Sequence, residues 1–400
     1  MNKGRLKMKF SIRMDRIKAS GIRAVQKRIA GNDNIISFAA GLPDPALYPL
    51  EDLKAATDEM IEMEGIRAFS YGLTKGNGEL LEFIVDRMNR KENVKCTKDN
   101  ICVLSGSQQG IGLAGLMFID EGDVVITENP SYLGAINAFR PYGAEFAGVD
   151  TDDDGIVIEH LEEVLNNTPE AKLMYVIPNF QNPTGKAWTL ERRQKFMEVV
   201  SKHDVVVIED NPYGEIRFRN EQLPDLKSLD KKGQVVYLGS FSKILSPGMR
   251  VAWMCAEPKV ASMAEELKET NDLQSPEITQ MIVAYYMKMF DLEEHIREIQ
   301  ETYKHRADLM IKMIERYFPK EIKYTKPDGG MFLWLELPEG LDSDKILDDA
   351  VNAGVAYIPG ESFFAHEGVK NTVRMNFTMV NDDQIREGIK ILGEVFKKYI

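Results

Sequence analysis

The feature that most constrains this chain is a series of short, continuous apolar runs, each leading straight into polar residues. Ile101–Leu104 leads into Ser105-Gly106-Ser107-Gln108-Gln109-Gly110, and Val124–Thr127 into Glu128-Asn129-Pro130-Ser131-Tyr132. Leu173–Ile177 leads into Pro178-Asn179-Phe180-Gln181-Asn182-Pro183-Thr184-Gly185, and Val205–Glu209 into Asp210-Asn211-Pro212-Tyr213. Val235–Leu238 precedes Ser240-Phe241-Ser242-Lys243. Helical patterns such as Gln108–Phe118 and Leu190–Lys202 fill the gaps. Strands that are apolar throughout, not alternating, are buried on both faces, which predicts a mostly parallel sheet layered with helices.

The pattern is helical from Pro258 to about Phe318, with a long charged stretch from Leu292 to Arg316. Its character changes after Gly329-Gly330. Strand-like Met331–Leu335, Val355–Ile358 and Val373–Phe377 then interleave with helices at Asp344–Val351 and Asn381–Lys397. The expected architecture is α/β, with a large domain over 56–294 and a smaller α+β domain over 295–400. Residues 1–55 are expected to form an N-terminal arm and to join the smaller domain, since chain ends often close on one another.

The polar clusters carry the chemistry. Lys243 follows a buried strand, where an amine is costly unless used, and Ser240, Ser242 and Arg250 flank it as suits a phosphate dianion. Asp210 ends another buried strand about one crossover unit earlier, so two strand ends present an acid and an amine to one ligand. The two prolines and the glycine of 178–185 fix a turn that holds the Asn182 amide. Ser107 and Gln108 open a helix whose free N–H groups suit phosphate. Tyr132 is placed to aim its ring at a flat ligand. Arg374, inside a strand, needs an anionic partner, either a salt bridge or a substrate carboxylate. Each cluster alone reads equally well as a turn, a helix cap or core.

Together, in this order, the clusters resemble the class I/II aminotransferases of fold type I, which depend on pyridoxal 5′-phosphate (PLP). The resemblance runs from Ile36–Pro43 (I-S-F-A-A-G-L-P) to Arg374. The run N-F-Q-N-P-T-G, S-G-S-Q-Q and Ala19-Ser20-Gly21-Ile22-Arg23 is most similar to the branch of 2-aminoadipate (LysN-like) and kynurenine/aminoadipate aminotransferases. The resemblance implies that Lys243 carries the cofactor as a Schiff base. Asp210 would pair with its pyridine nitrogen, Asn182 and Tyr213 would bond its ring hydroxyl, and Tyr132 would stack on the ring. Ser107, Gln108, Ser240, Ser242 and Arg250 would hold the phosphate. Tyr71 would reach it from the neighbouring subunit of a homodimer with shared sites. Arg374 would bind the substrate α-carboxylate near Gly41, and Arg23 a distal carboxylate. The implied reaction is ping-pong transfer of an amino group from an L-amino acid, 2-aminoadipate or a broader set of aromatic and branched-chain donors, to a 2-oxo acid such as 2-oxoglutarate.

Composition narrows the partners. A net charge of −13 disfavours generic binding to nucleic acid or anionic membranes. Cys96, Cys102 and Cys255 are widely spaced, as expected of reduced thiols in a cytoplasmic protein. The basic start (Lys3, Arg5, Lys7, Lys9) has no apolar signal core behind it, and no run is long enough to span a membrane. Asp150, Asp152, Asp154 and Gly155 imitate a calcium loop, but Leu161 stands where a bidentate Glu is required. The histidines show no ligand spacing, so no metal is expected. Two other functions stay open. One is a lyase or decarboxylase on the same fold. The other is an aminotransferase-like transcription regulator, for which the stretch before Phe38 is too short to hold a winged helix.

Overall fold

The computed structural model describes residues 8–17, 21–32, 34–366 and 368–400. Lys3, Arg5 and Lys7 of the basic start, and Ala19-Ser20 of the Ala-Ser-Gly-Ile-Arg run, lie outside them. The chain forms β1 (Ile36–Ser37) and then eight strands of one sheet. These are β2 (Ile101–Leu104), β3 (Val124–Asn129), β4 (Glu145–Asp152), β5 (Gly155–Ile156), β6 (Leu173–Val176), β7 (Val206–Asp210), β8 (Val235–Ser240) and β9 (Ala252–Cys255). Their spatial order is β2-β9-β8-β7-β6-β3-β4-β5, with β8, β7, β6, β3 and β4 mutually parallel.

Alternate residues of these strands feed two apolar layers. Val124, Ile126, Met174, Val176 and Val207 enter one, with Phe196 and Val200 of the Leu190–Val200 helix. Val125, Leu173, Tyr175 and Ile208 enter the other, with Ile111 and Ala114 of the Ser107–Phe118 helix. Both faces are therefore covered, which explains why the strands read as unbroken apolar runs.

β9 is a strand the sequence reading passed over. It runs antiparallel between β2 and β8. The chain reaches it through a reversal at Arg250, whose left-handed backbone (φ 52) follows the short turn Pro247–Met249. Because β9 opposes both neighbours, β2 points the same way as β8.

The smaller sheet contains β10 (Lys323–Tyr324), β11 (Phe332–Glu336), β13 (Ile358–Pro359) and β14 (Thr372–Asn376), in the order β10-β11-β14-β13, all antiparallel. The single strand expected over Val355–Ile358 is two. β12 (Val355–Ala356) pairs in parallel with β1, whereas β13 pairs with β14. Tyr357 between them is fully buried and donates to the Ser343 carbonyl at 2.8 Å. That anchor turns the chain from one partner to the other. Pro359, which has no N–H to give, then sits on a sheet edge. Phe38, just after β1, accepts from Asn376 N at 2.8 Å, so the early chain is tied to β14. Cys96, Cys102 and Cys255 are buried and free. Among the described residues no helix is long and apolar enough to cross a membrane.

Candidate active site

The strands β2, β3, β6, β7 and β8 present their carboxyl ends along one edge of the large sheet. Sequence order reverses between β3, which continues to β4 on one side, and β6, which continues to β7 and β8 on the other. A crevice forms at such a reversal, and ligands of open α/β sheets bind there. Here it is a cavity of ≈370 Å³. Larger clefts of ≈590 and ≈600 Å³ occur elsewhere, away from the strand ends. Chemistry, not size, therefore singles out this one.

One part of the cavity is built for a dianion. The Ser107–Phe118 helix starts there, after Gly106 in a left-handed conformation (φ 98). A Cβ at Gly106 would overlap the Arg250 guanidinium, so only glycine lets this arginine close over the helix start. Arg250 Nη2 donates to the Ser105 carbonyl at 3.0 Å. The Ser107 hydroxyl is buried without a partner among the described residues. Gln108, Ser240 and Ser242 complete this lining, with Ser240 Oγ accepting from Ser242 N at 3.0 Å.

Next come the amine and the acid. Lys243 donates to the Gly41 carbonyl at 3.4 Å. Burial lowers its pKa to about 8, helped by the positive charges of Arg250 and Arg374 and opposed by Asp210. Asp210 ends β7 and is almost fully buried. Burial raises its carboxyl to about 6, against the hydrogen bond from Tyr175 and the charge of Lys243. Its Oδ2 accepts from the Tyr175 hydroxyl at 2.6 Å, whereas Oδ1 is buried with no partner among the described residues. Tyr132 also lines the cavity and donates to Gln108 Oε1 at 3.4 Å. Tyr213 and Asn182 both line the cavity, and burial pushes the Tyr213 phenol up.

Arg374 of β14 brings the smaller sheet to the same place. It is buried, and among the described residues no carboxylate pairs with it, which removes the salt-bridge alternative there. Its Nη1 donates to Asn182 Oδ1 and its Nη2 to the Ala39 carbonyl, both at 3.1 Å, while Nε has no partner among the described residues. Phe332 and Phe363 lie 4.5 and 5.1 Å from the guanidinium carbon. Burial lowers its pKa to about 10. A buried cation without an anion is an expensive arrangement, and a carboxylate ligand would resolve it.

The 178–185 loop is fastened from both sides. Glu128 accepts from Ile177 N at 2.8 Å and from Trp188 Nε1 at 3.0 Å, and Gln181 donates to the Pro130 carbonyl at 2.8 Å. Gly185 (φ 71) lies so close to the Phe332 carbonyl that a Cβ would collide with it. The loop thus presses Asn182 toward β14 and Arg374.

Tyr71, expected to reach the site of the neighbouring subunit, is 85% exposed. Arg23 is exposed and does not line the cavity, whereas Gln26 of the same Gly21–Ile29 helix does. Gln26 and Tyr175 were passed over in the sequence. Tyr175 sits inside a wholly apolar strand, where an aromatic reads as core, and nothing in the run signals a polar partner.

The donor set fits PLP. Unpaired groups suited to a phosphate, to a ring nitrogen and to a substrate carboxylate converge around one amine. Residues 33–392 match the family "Aminotransferase class I and II". The chain is 42% identical to the aromatic-amino-acid aminotransferase 1 of Thermococcus litoralis, over 97% of this chain and 94% of that one. Its structure resembles the kynurenine aminotransferase of Pyrococcus horikoshii, solved with PMP, at 40% identity and a TM-score of 0.94, covering 98% and 97% of the two chains. It also resembles LysN, the α-aminoadipate aminotransferase of Thermus thermophilus solved with N-(5′-phosphopyridoxyl)-L-leucine, at 36% identity and a TM-score of 0.90, covering 97% of each. The chain belongs to the class I and II aminotransferases: it is a PLP-dependent enzyme of fold type I that transfers amino groups between amino acids and 2-oxo acids.

Proposed function

We propose that Lys243 is the point of PLP attachment and that the enzyme accepts a broad set of donors, including 2-aminoadipate, aromatic and branched-chain amino acids, with 2-oxoglutarate as acceptor. The observation that carries the site is the presence in one cavity of a buried amine and a buried carboxylate whose Oδ1 has no partner among the described residues. PLP, when bound, supplies an electron sink for the pair left by Cα–H cleavage. The residues do the rest. Asp210 holds the proton on the ring nitrogen. Asn182 and Tyr213 would hold the ring hydroxyl and Tyr132 would stack on the ring. Ser107, Gln108, Ser240, Ser242 and Arg250 take the phosphate. Arg374 holds the substrate α-carboxylate beside Gly41, which orients Cα toward Lys243. Lys243 Nζ, its pKa lowered by burial and by the charges of Arg250 and Arg374, would take the Cα proton as a general base and deliver it as a general acid to the cofactor's C4′ carbon.

The cavity supports a broad donor range in one further respect. Gln26 at its mouth is a neutral amide, able to meet either a carboxylate or a polar aromatic substituent. Arg23, three residues earlier on the same helix, reaches in only for an acidic side chain. A donor panel with 2-oxoglutarate, run on wild type and Arg23→Gln, tests this. The variant is expected to lose about ten- to a hundredfold in kcat/KM for 2-aminoadipate and glutamate and nothing for leucine, as for one charge-assisted bond. Equal losses for all donors would make Arg23 structural.

The reading includes a cytoplasmic homodimer with shared sites. Ile66, Phe69, Tyr71 and Leu73 are 90%, 73%, 85% and 71% exposed, an apolar patch that a second subunit would cover. Tyr71 would then reach the partner's phosphate. Mixing Tyr71→Phe chains with Lys243→Ala chains places both mutations in one site and leaves the other intact. Recovery of activity is expected, and none despite proven exchange of subunits would remove the shared site. The division into 56–294, the PLP-binding domain, and 295–400, with 1–55 joining the latter, belongs to the same proposal. Its boundary falls within the Leu292–Tyr317 helix.

A further inference from the structure

We propose that Tyr175 is a positioning residue for the reaction: its hydroxyl holds one oxygen of Asp210 and leaves the other turned to the cavity for the pyridine nitrogen. This rests on the reading of Asp210 as the partner of that nitrogen.

A carboxylate at the end of a strand has two rotatable bonds and two equivalent oxygens. Asp210 nevertheless divides their labour. Oδ2 is committed to Tyr175 at 2.6 Å, and Oδ1, also buried, has no partner among the described residues while Asp210 lines the cavity. The tyrosine is itself rigidly held. It is fully buried on β6, next to β7 in the sheet, and its ring meets Phe139 edge-on at 6.3 Å. Its register partner is Ile208, so the phenol lies two residues short of Asp210 along the neighbouring strand. A phenol in this place can only help the anion. It is a neutral donor, and the same burial that raises the Asp210 carboxyl pushes the Tyr175 hydroxyl well above its ordinary value, so the proton stays on the tyrosine.

The groups that face Asp210 come from every neighbouring element. Tyr175 lies on β6 and Lys243 follows β8, while Tyr132 precedes the Leu133–Phe139 helix and Tyr213 follows β7. Lys243 is the one cation among them, and in the attached state its amine is taken up by the cofactor. Among these protein groups, Tyr175 is then the one left that favours an ionised Asp210. Without it the carboxyl would drift further toward neutrality, and the ring nitrogen would lose its charge partner.

Tyr175→Phe keeps the ring and the edge-on contact with Phe139 and deletes only the O–H. The test is equilibrium binding of pyridoxamine 5′-phosphate to the apoenzyme as a function of pH, in wild type, Tyr175→Phe, Asp210→Asn and the double variant, with thermal midpoints as a check on folding. Loss of the donor should weaken binding near neutral pH by about tenfold, as for one hydrogen bond to a charged group. It should also move the acid limb of binding upward by about one pH unit, because the carboxyl then protonates more readily. In the Asp210→Asn background the same change should have no further effect, since the hydroxyl acts through Asp210. Tyr175→His, which restores a donor, should recover part of both. An unmoved acid limb, or losses that simply add to those of Asp210→Asn, would overturn the role of Tyr175. If Asp210→Asn itself bound pyridoxamine 5′-phosphate like wild type across the range, the reading of Asp210 would fall first.

Discussion

Replacing Lys243 with alanine is expected to abolish transamination, lowering turnover by roughly 10⁴-fold or more. Two tasks rest on this one nitrogen. It anchors the cofactor, and it moves the Cα proton. Both need a free amine, and the cavity provides one by desolvation and by the charges of Arg250 and Arg374, which bring its pKa to about 8. Lys243→Arg separates charge from basicity. It keeps a cation in the cavity but cannot give up its proton, so it is expected to be as inactive as the alanine variant. Both variants should still retain PLP, because the phosphate groups around Ser107 and Arg250 are untouched. Steady-state turnover together with the cofactor absorption spectrum checks this. Turnover above about one percent of wild type in either variant would mean that another group moves the proton.

Arg374→Ala is expected to cost about 3–4 kcal/mol in kcat/KM, roughly 10²–10³-fold, for every amino acid donor alike. The size follows from burial. The guanidinium is 1% exposed, and its contacts to Asn182 and Ala39 leave it with no anion among the described residues, so a substrate carboxylate would meet it fully desolvated. The uniformity follows from chemistry, because all amino acids carry the α-carboxylate. Lysine at this position should recover little, since Phe332 and Phe363 flank a flat guanidinium rather than a compact ammonium. Kinetics over acidic, aromatic and branched donors would reveal the pattern. A loss confined to one donor class would move Arg374 from the α-carboxylate to the side-chain pocket.

The parts legible in the sequence were those written as abrupt changes of polarity. An unbroken apolar strand that ends in Asp210, or leads into the Asn182 loop or Ser240-Phe241-Ser242-Lys243, announces both a buried sheet and a polar edge, and the structure places these residues around one cavity. Signals that depend on direction or on partners were not legible. Ala252–Cys255 is apolar like its neighbours, and nothing in four such residues states that β9 runs antiparallel. The switch from β12 to β13 at Tyr357 hinges on a distant carbonyl, that of Ser343. Tyr175 reads as core from the sequence because its hydroxyl partner lies on another strand. Arg23 was expected from the resemblance that the Ala19-Ser20-Gly21-Ile22-Arg23 run carries, whereas the residue of the Gly21–Ile29 helix that lines the cavity is Gln26, three positions on.

The central claim is that Lys243 carries the cofactor. Borohydride reduction of the holoenzyme, followed by proteolysis and peptide mapping, tests it most directly. The account expects one pyridoxyl group per chain, on the peptide that contains Ser240-Phe241-Ser242-Lys243. A stoichiometric label on any other lysine, with Lys243 unmodified, would contradict it.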